Sequence, residues 1–372
     1  MRASSSFLSL SFLSSAGLFA ALFPATLVRA QEADSGFELR TTLSAASSYS
    51  QELAQPPRDG SAFTGGFNVL LYPTWKLTSH WTISGALQVI SRPYYEEDFD
   101  TQGYGVKGDL LQLSLNYSRF WESNRSLVVR VGQLSSVFGS FLQRYDPMDN
   151  SVIGVPSAYG YYYDPVTFQG LVGAEVDATA GKLDARAQFT NSSPANRRSI
   201  FDHDQYGDWA GGAGYTIRQG LRVGGSAYHG PYLDRQYAYF FPGEWAPRDL
   251  PATGVGMDVE WGWGHWNAWG EVQRFQMDYH VIPTLIQHIG YAEVRRTLNP
   301  RWYAACRIGY LRANEFPGSQ TYEFAAGFRP NAHQLIKLGY TIQQGAEYPG
   351  TLGNVAAIEF VTSIRAISLA RD

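Results

Sequence analysis

Positions 111–118 read Leu-Gln-Leu-Ser-Leu-Asn-Tyr-Ser, a large apolar side chain at every odd position and a small polar one at every even position. Successive side chains of a β-strand point to opposite faces, so this stretch predicts one oily face and one wet face. The dyad recurs along nearly the whole chain, in pieces of roughly ten residues, the length that crosses a bilayer as a tilted strand. Sixteen strands can be placed, at about 37–48, 66–77, 81–92, 109–121, 126–138, 167–179, 182–190, 208–217, 221–230, 253–263, 266–279, 284–297, 301–313, 320–329, 334–344 and 354–366.

The connections between them sort by length. Ser79-His80, Ser123-Asn124, Gly181-Lys182, Gln219-Gly220, Gly264-His265, Asn299-Pro300 and Asn331-Ala332 have the chemistry of short turns. Longer segments near 49–65, 93–108, 139–166, 191–207, 231–252, 280–283, 314–319 and 345–353 alternate with them, 280–283 being the weakest case. A soluble β-sandwich has no reason to sort its connections in this way. The fold expected is all-β: a transmembrane antiparallel β-barrel of about 16 strands, with short periplasmic turns and long extracellular loops.

Facing can be read strand by strand. Trp302, Ala304, Cys306, Ile308 and Tyr310 oppose Arg301, Tyr303, Arg307 and Gly309; Tyr322, Phe324, Ala326 and Phe328 oppose Thr321, Glu323, Gly327 and Arg329. Charges fall almost wholly on the second set, because a Lys or Arg at the lipid midplane costs about 2–4 kcal/mol. Trp75, Trp81, Trp121, Trp261, Trp263, Trp266 and Trp302 lie beside the short turns, as an interfacial girdle requires.

Composition fits this picture, with 15% aromatics, 38 glycines and mildly polar average hydropathy. Residues 1–30 read as a signal peptide: a basic Met1-Arg2 start, an apolar run, and small residues at Val28 and Ala30 before cleavage ahead of Gln31. The barrel then occupies 31–372. The lone Cys306 allows no internal disulfide and no cysteine-built metal site. A net charge of −4 points away from nucleic acid as a partner. No residue pattern implies a metal or other cofactor.

The longest connection, 139–166, carries Arg144, Asp146, Asp149 and the aromatic run Tyr159, Tyr161, Tyr162 and Tyr163. Ahead of it stand Arg130-Val131-Gly132-Gln133 and Val137-Phe138-Gly139. This order resembles the segment before the pore-constricting loop of Gram-negative outer-membrane porins, and is most similar to their phosphate-selective and putative-porin group. The resemblance implies a channel in the outer-membrane lipid, trimeric, whose third long loop folds into the lumen. By position it makes Arg144, Asp146 and Asp149 candidate constriction residues, with Arg130 on the facing wall. One departure is visible: such porins end on an aromatic residue, and this chain ends Leu369-Ala370-Arg371-Asp372.

The function expected is passive diffusion of small hydrophilic solutes or ions through a water-filled channel; the alternative is a non-conducting barrel acting as adhesin, receptor or structural anchor. Pore-lining candidates are Glu175, Arg186, Arg301, Arg307, Glu323 and Lys337, among further inward positions such as Arg40, Glu271 and Glu293. Their signs are nearly balanced, and pore selectivity follows rings of one sign. No enzyme is expected. Of the seven histidines only His288 falls mid-strand, on the face toward lipid or a neighbouring subunit, with no serine placed near it.

Overall fold

The computed structural model describes residues 35–51, 61–92, 94, 105–121, 124–156, 159, 169–191, 207–231, 250–278, 283–314, 316–345 and 353–370. The expected signal peptide and residues 157–158 and 160–166 of the longest connection lie outside these. Sixteen antiparallel strands form a closed barrel in which each pairs with its sequence neighbours and the last pairs with the first. They are β1 (Gly36–Tyr49), β2 (Phe63–Lys76), β3 (Trp81–Arg92), β4 (Gly105–Trp121), β5 (Arg125–Ser135), β6 (Gln169–Ala180), β7 (Leu183–Asn191) and β8 (Gly207–Arg218). The second half comprises β9 (Leu221–Pro231), β10 (Pro251–Trp263), β11 (Trp266–Met277), β12 (Leu285–Asn299), β13 (Trp302–Ala313), β14 (Phe316–Phe328), β15 (Gln334–Gly345) and β16 (Val355–Ala370). The seam runs from Gly36 opposite Ala370 to Tyr49 opposite Ala356, so no backbone edge is left unpaired.

The dyad predicts the facing of these strands. Along β13, exposed and buried residues alternate without a break from Trp302 to Ala313, with Trp302, Ala304, Cys306, Ile308 and Tyr310 outward. Arg307 on the inner set lies between Glu293 of β12 and Glu323 of β14. The tryptophans beside the short turns point outward and form a girdle at that end, Trp263 being 73% exposed.

Three expectations are corrected. The 111–118 dyad is interrupted: a β-bulge between Ala86 and Leu87 on β3 gives β4 one extra residue, so Leu111 turns inward beside Leu70 and Ala86. From Leu113 on, the oily face points outward as predicted. The fifth strand ends at Ser135 rather than 138, because Val137 and Phe138 leave the wall and become buried inside the barrel. The connection placed at 314–319 is short, since β14 begins at Phe316. Asn314 makes the turn: its side chain accepts from the Ile286 amide at 3.0 Å and donates to the Thr284 carbonyl at 3.1 Å. A register shift between Leu311 and Ala313 then takes up the Pro317-Gly318 pair that reads as a loop.

Candidate functional site: a loop across the lumen

The segment that follows β5 runs through the barrel rather than over it. It leaves the wall at Ser136, forms one 3-10 turn at Phe141–Arg144, and turns again at Asp146-Pro147. Asp at the first and Pro at the second position suit a tight turn. The Asp146 carbonyl accepts from the amides of Asp149 (2.9 Å) and Asn150 (3.0 Å), and its carboxylate accepts from the Met148 amide (2.9 Å).

Two glycines of the motif have a steric reason. Gly132 has a φ of 139°, and a Cβ there would run into the Leu113 carbonyl of β4. Gly139 has a φ of 74°, and a Cβ there would collide with the Tyr159 hydroxyl and the Glu271 carboxylate. Its carbonyl accepts from Arg186 and its amide donates to Ser226 Oγ at 3.2 Å. Glu271 closes the arrangement by accepting from Tyr159 (2.5 Å) and from the Ser140 amide (3.3 Å) and hydroxyl (3.2 Å). Gly139→Ala is therefore expected to loosen the loop without opening the barrel. Limited proteolysis checks this: cleavage within 139–166 should rise at least several-fold while the heat-induced gel shift of the folded barrel is retained.

Apolar packing holds the first part of the loop. Phe138, Phe141 and Tyr159 bury against Tyr228 of β9, Phe275 and Met277 of β11, and Ile289 and Tyr291 of β12. Further along, the loop backbone is held by donors on β13, β14 and β15. Tyr303 donates to the Ser151 carbonyl (3.0 Å), Arg307 to Gly154 (2.9 Å), Lys337 to Val152 (3.1 Å) and Arg329, just past β14, to Met148 (3.3 Å). Arg307, 1% exposed, also pairs with Glu293 (2.9 Å) and Glu323 (3.4 Å) and donates to the Asn150 side chain (2.8 Å). Lys337 is equally buried and pairs with Glu359 at 2.8 Å.

A cavity of about 130 Å³ lies between the loop and β1–β4, lined by Arg40, Tyr72, Ala86, Leu111 and Gln112 from the wall and by Leu142, Gln143, Tyr145, Asp146 and Asp149 from the loop. Arg40 is half exposed, stacks over Tyr72 at 4.4 Å, and approaches Asp146 to 3.6 Å. Thr42 donates to the same carboxylate at 2.9 Å. Burial, and then the neighbouring Asp146 charge, raise the Asp149 carboxyl above the ordinary aspartate range.

The candidate residues thus separate. Asp146 and Asp149 line the opening. Arg144 faces the far wall, where it pairs with Glu293 (3.1 Å), donates to Tyr291 (3.1 Å) and stacks on Trp269 (4.2 Å). Arg130 pairs with Glu175 and Asp177 on the neighbouring strand β6. Arg186, Arg307, Glu323 and Lys337 lie on the lumen side, the last three beneath the loop, and Arg301 is exposed in the turn before β13. Sequence reading placed Arg40 inside without pairing it to the loop, and it missed Tyr72, Gln143 and the Tyr303 anchor. The Asp-Pro turn was the usable signal, since it aims Asp146 and Asp149 to one side.

No protein-family model matches the sequence, and no curated protein matches it either. Solved structures do. The barrel is similar to an anion-selective porin from Comamonas acidovorans, with a TM-score of 0.60 at 8% identity over 88% of this chain and 98% of that one. It is similar to OmpF of Salmonella typhi, solved with daunomycin, at 0.59 and 10% identity over 89% and 98%. A loop L8 deletion mutant of OmpT, an outer-membrane protein of Vibrio cholerae, gives 0.58 and 9% identity over 89% and 100%. At such identities the likeness is one of fold. The fold is that of the sixteen-stranded barrels found in porins and other outer-membrane proteins.

Proposed function

We propose that the protein is a porin: a water-filled channel through the bacterial outer membrane for passive diffusion of small hydrophilic solutes or ions. The observation that supports this is the cavity between the loop and β1–β4, with charged groups from both sides in its lining. The loop packs apolar side chains against most of the wall, Phe138, Phe141 and Tyr159 on β9–β13 among them, and leaves a cavity where Gln143, Asp146 and Asp149 lie with Arg40 and Tyr72. Opposed charges across a narrow passage are how pores sort ions. Arg40 against Asp146 and Asp149 is therefore the constriction, with Arg144 and Arg130 as the ion pairs that hold its frame.

The trimer and the kinship with phosphate-selective porins remain part of this reading through the Arg130–Gly139 segment alone. Nothing in the reading calls for catalysis. Purified protein folded into planar bilayers is expected to give stepwise, ohmic ion conductance. Folded barrel that never conducts would overturn the proposal in favour of an adhesin, receptor or anchor.

A further inference from the structure

A row of basic side chains crosses the outer wall. Arg274 of β11 lies directly opposite His288 of β12, which lies directly opposite Arg312 of β13. All three are exposed, whereas the flanking Gln273, Gln287 and Leu311 are buried toward the lumen. Each lies within three residues of the loop end of its strand, at Met277, Leu285 and Ala313 respectively. None has a hydrogen-bond or ion-pair partner among the described residues.

The rest of the outer wall makes the row unusual. Other outward arginines of the described strands, Arg119, Arg125 and Arg296 among them, lie at the turn end. Arg119 and Arg296 there stack on Trp121 and Trp266. No carboxylate faces outward from the described strands. Arg274 and Arg312 are like charges on the two strands that flank β12, with the His288 ring between them. Side chains on adjacent strands are only about 5 Å apart, so the row concentrates its cations within about 10 Å. An arginine on the lipid face is tolerated at about 0–1 kcal/mol only near the membrane interface, which is where the loop end of a strand lies. An anion at that height would relieve the repulsion and pair with two guanidiniums whose planar donors match phosphate oxygens. Gln320 and the Tyr322 hydroxyl that donates to it at 2.7 Å add polar groups beside Tyr310, two residues from Arg312.

We infer that Arg274, His288 and Arg312 form a binding site for the phosphate of a lipid headgroup in the leaflet on the loop side of the membrane. The inference needs the barrel to span a membrane and does not depend on conduction. It also gives the outward-facing His288, near the loop end of β12, a role other than catalysis.

The test uses the full chain, folded into phosphatidylcholine vesicles containing a minor fraction of lipid A, followed by extraction and native mass spectrometry of retained lipid. Wild type is expected to retain lipid A in preference to its dephosphorylated form. The Arg274→Gln/Arg312→Gln pair should lower retention at least tenfold, and Arg296→Gln at the turn end should leave it unchanged. The heat-induced gel shift reports folding of each variant. Should the pair not fold, Arg312→Gln alone is expected to lower retention several-fold. Equal retention by wild type and variant, or equal retention of the dephosphorylated lipid, would overturn the site. Full displacement by millimolar inorganic phosphate would assign it to a free anion instead. Unchanged lipid retention with a changed oligomeric state would assign the row to a second copy of the chain.

Discussion

Replacing Arg307 by Met is expected to release the lumen loop and to produce the largest change of any single substitution. The guanidinium is buried between Glu293 and Glu323 and also donates to the Gly154 carbonyl and the Asn150 side chain. Its removal strands the buried Glu323 carboxylate, leaves Glu293 with Arg144 as its one remaining cation, and takes the donor from a loop carbonyl and a side-chain oxygen. Breaking a buried ion pair by removing one partner costs about 3–5 kcal/mol, most of it the penalty of the orphaned charge. The barrel ladder does not depend on this residue, because its backbone bonds to β12 and β14 are made regardless of side chain. The loss should therefore fall on the loop. Single-channel conductance is expected to rise, by up to about twofold if the freed loop uncovers the part of the lumen it now fills, with flickering closures as it moves. The folded barrel should still show its gel shift, but with a lower denaturation midpoint. Arg307→Lys keeps the charge and loses the fork of donors, and should fall between. Unchanged conductance in Arg307→Met would mean that the apolar packing of Phe138, Phe141 and Tyr159 holds the loop unaided.

This division between wall and loop also explains what could be read without coordinates. Strand facing was legible because it is a local, period-two consequence of solvent: lipid outside rejects charge and the inner face accepts it. Irregularities were not. Leu111 looks like its neighbours Leu113 and Leu115, and only the bulge opposite Ala86 turns it inward. Pro317 and Gly318 have turn chemistry, and only the register against Leu311 and Ala313 makes them strand. The constriction was legible as a segment but not as a set of roles. Arg144, Asp146 and Asp149 are equally polar in sequence. Their separation into an anchor and two lining residues depends on which side of the loop meets Glu293 and which meets Arg40, contacts between residues more than a hundred positions apart. Charge balance hid the same distinction, since most inward charges serve each other or the loop backbone.

Reversing the wall charge at the opening should shift the preference of the channel toward cations. Arg40 faces Asp146 and Asp149 across the cavity, and its half-exposed side chain is the basic group that lines it. An ion passing about 4 Å from one unit charge in water gains or loses about 1 kcal/mol, roughly fivefold for that ion, with the opposite sign for its counter-ion. Arg40→Glu replaces one positive by one negative charge, so a shift toward cations of roughly fivefold or more is expected in reversal potentials under a salt gradient, shrinking as ionic strength rises. Asp149→Asn removes one negative charge and should shift the ratio toward anions by a smaller factor. The wild type should do the same on acidification. Burial and the nearby Asp146 raise the Asp149 carboxyl, so it takes up its proton at a higher pH than a free aspartate as pH falls, and the opening loses negative charge early. That early, anion-ward step should be missing from Asp149→Asn, and the two curves should meet once the wild-type carboxyl is protonated. A ratio that ignores both substitutions and follows pH identically in all three proteins would place the narrowest point of the channel elsewhere than between Arg40 and the loop.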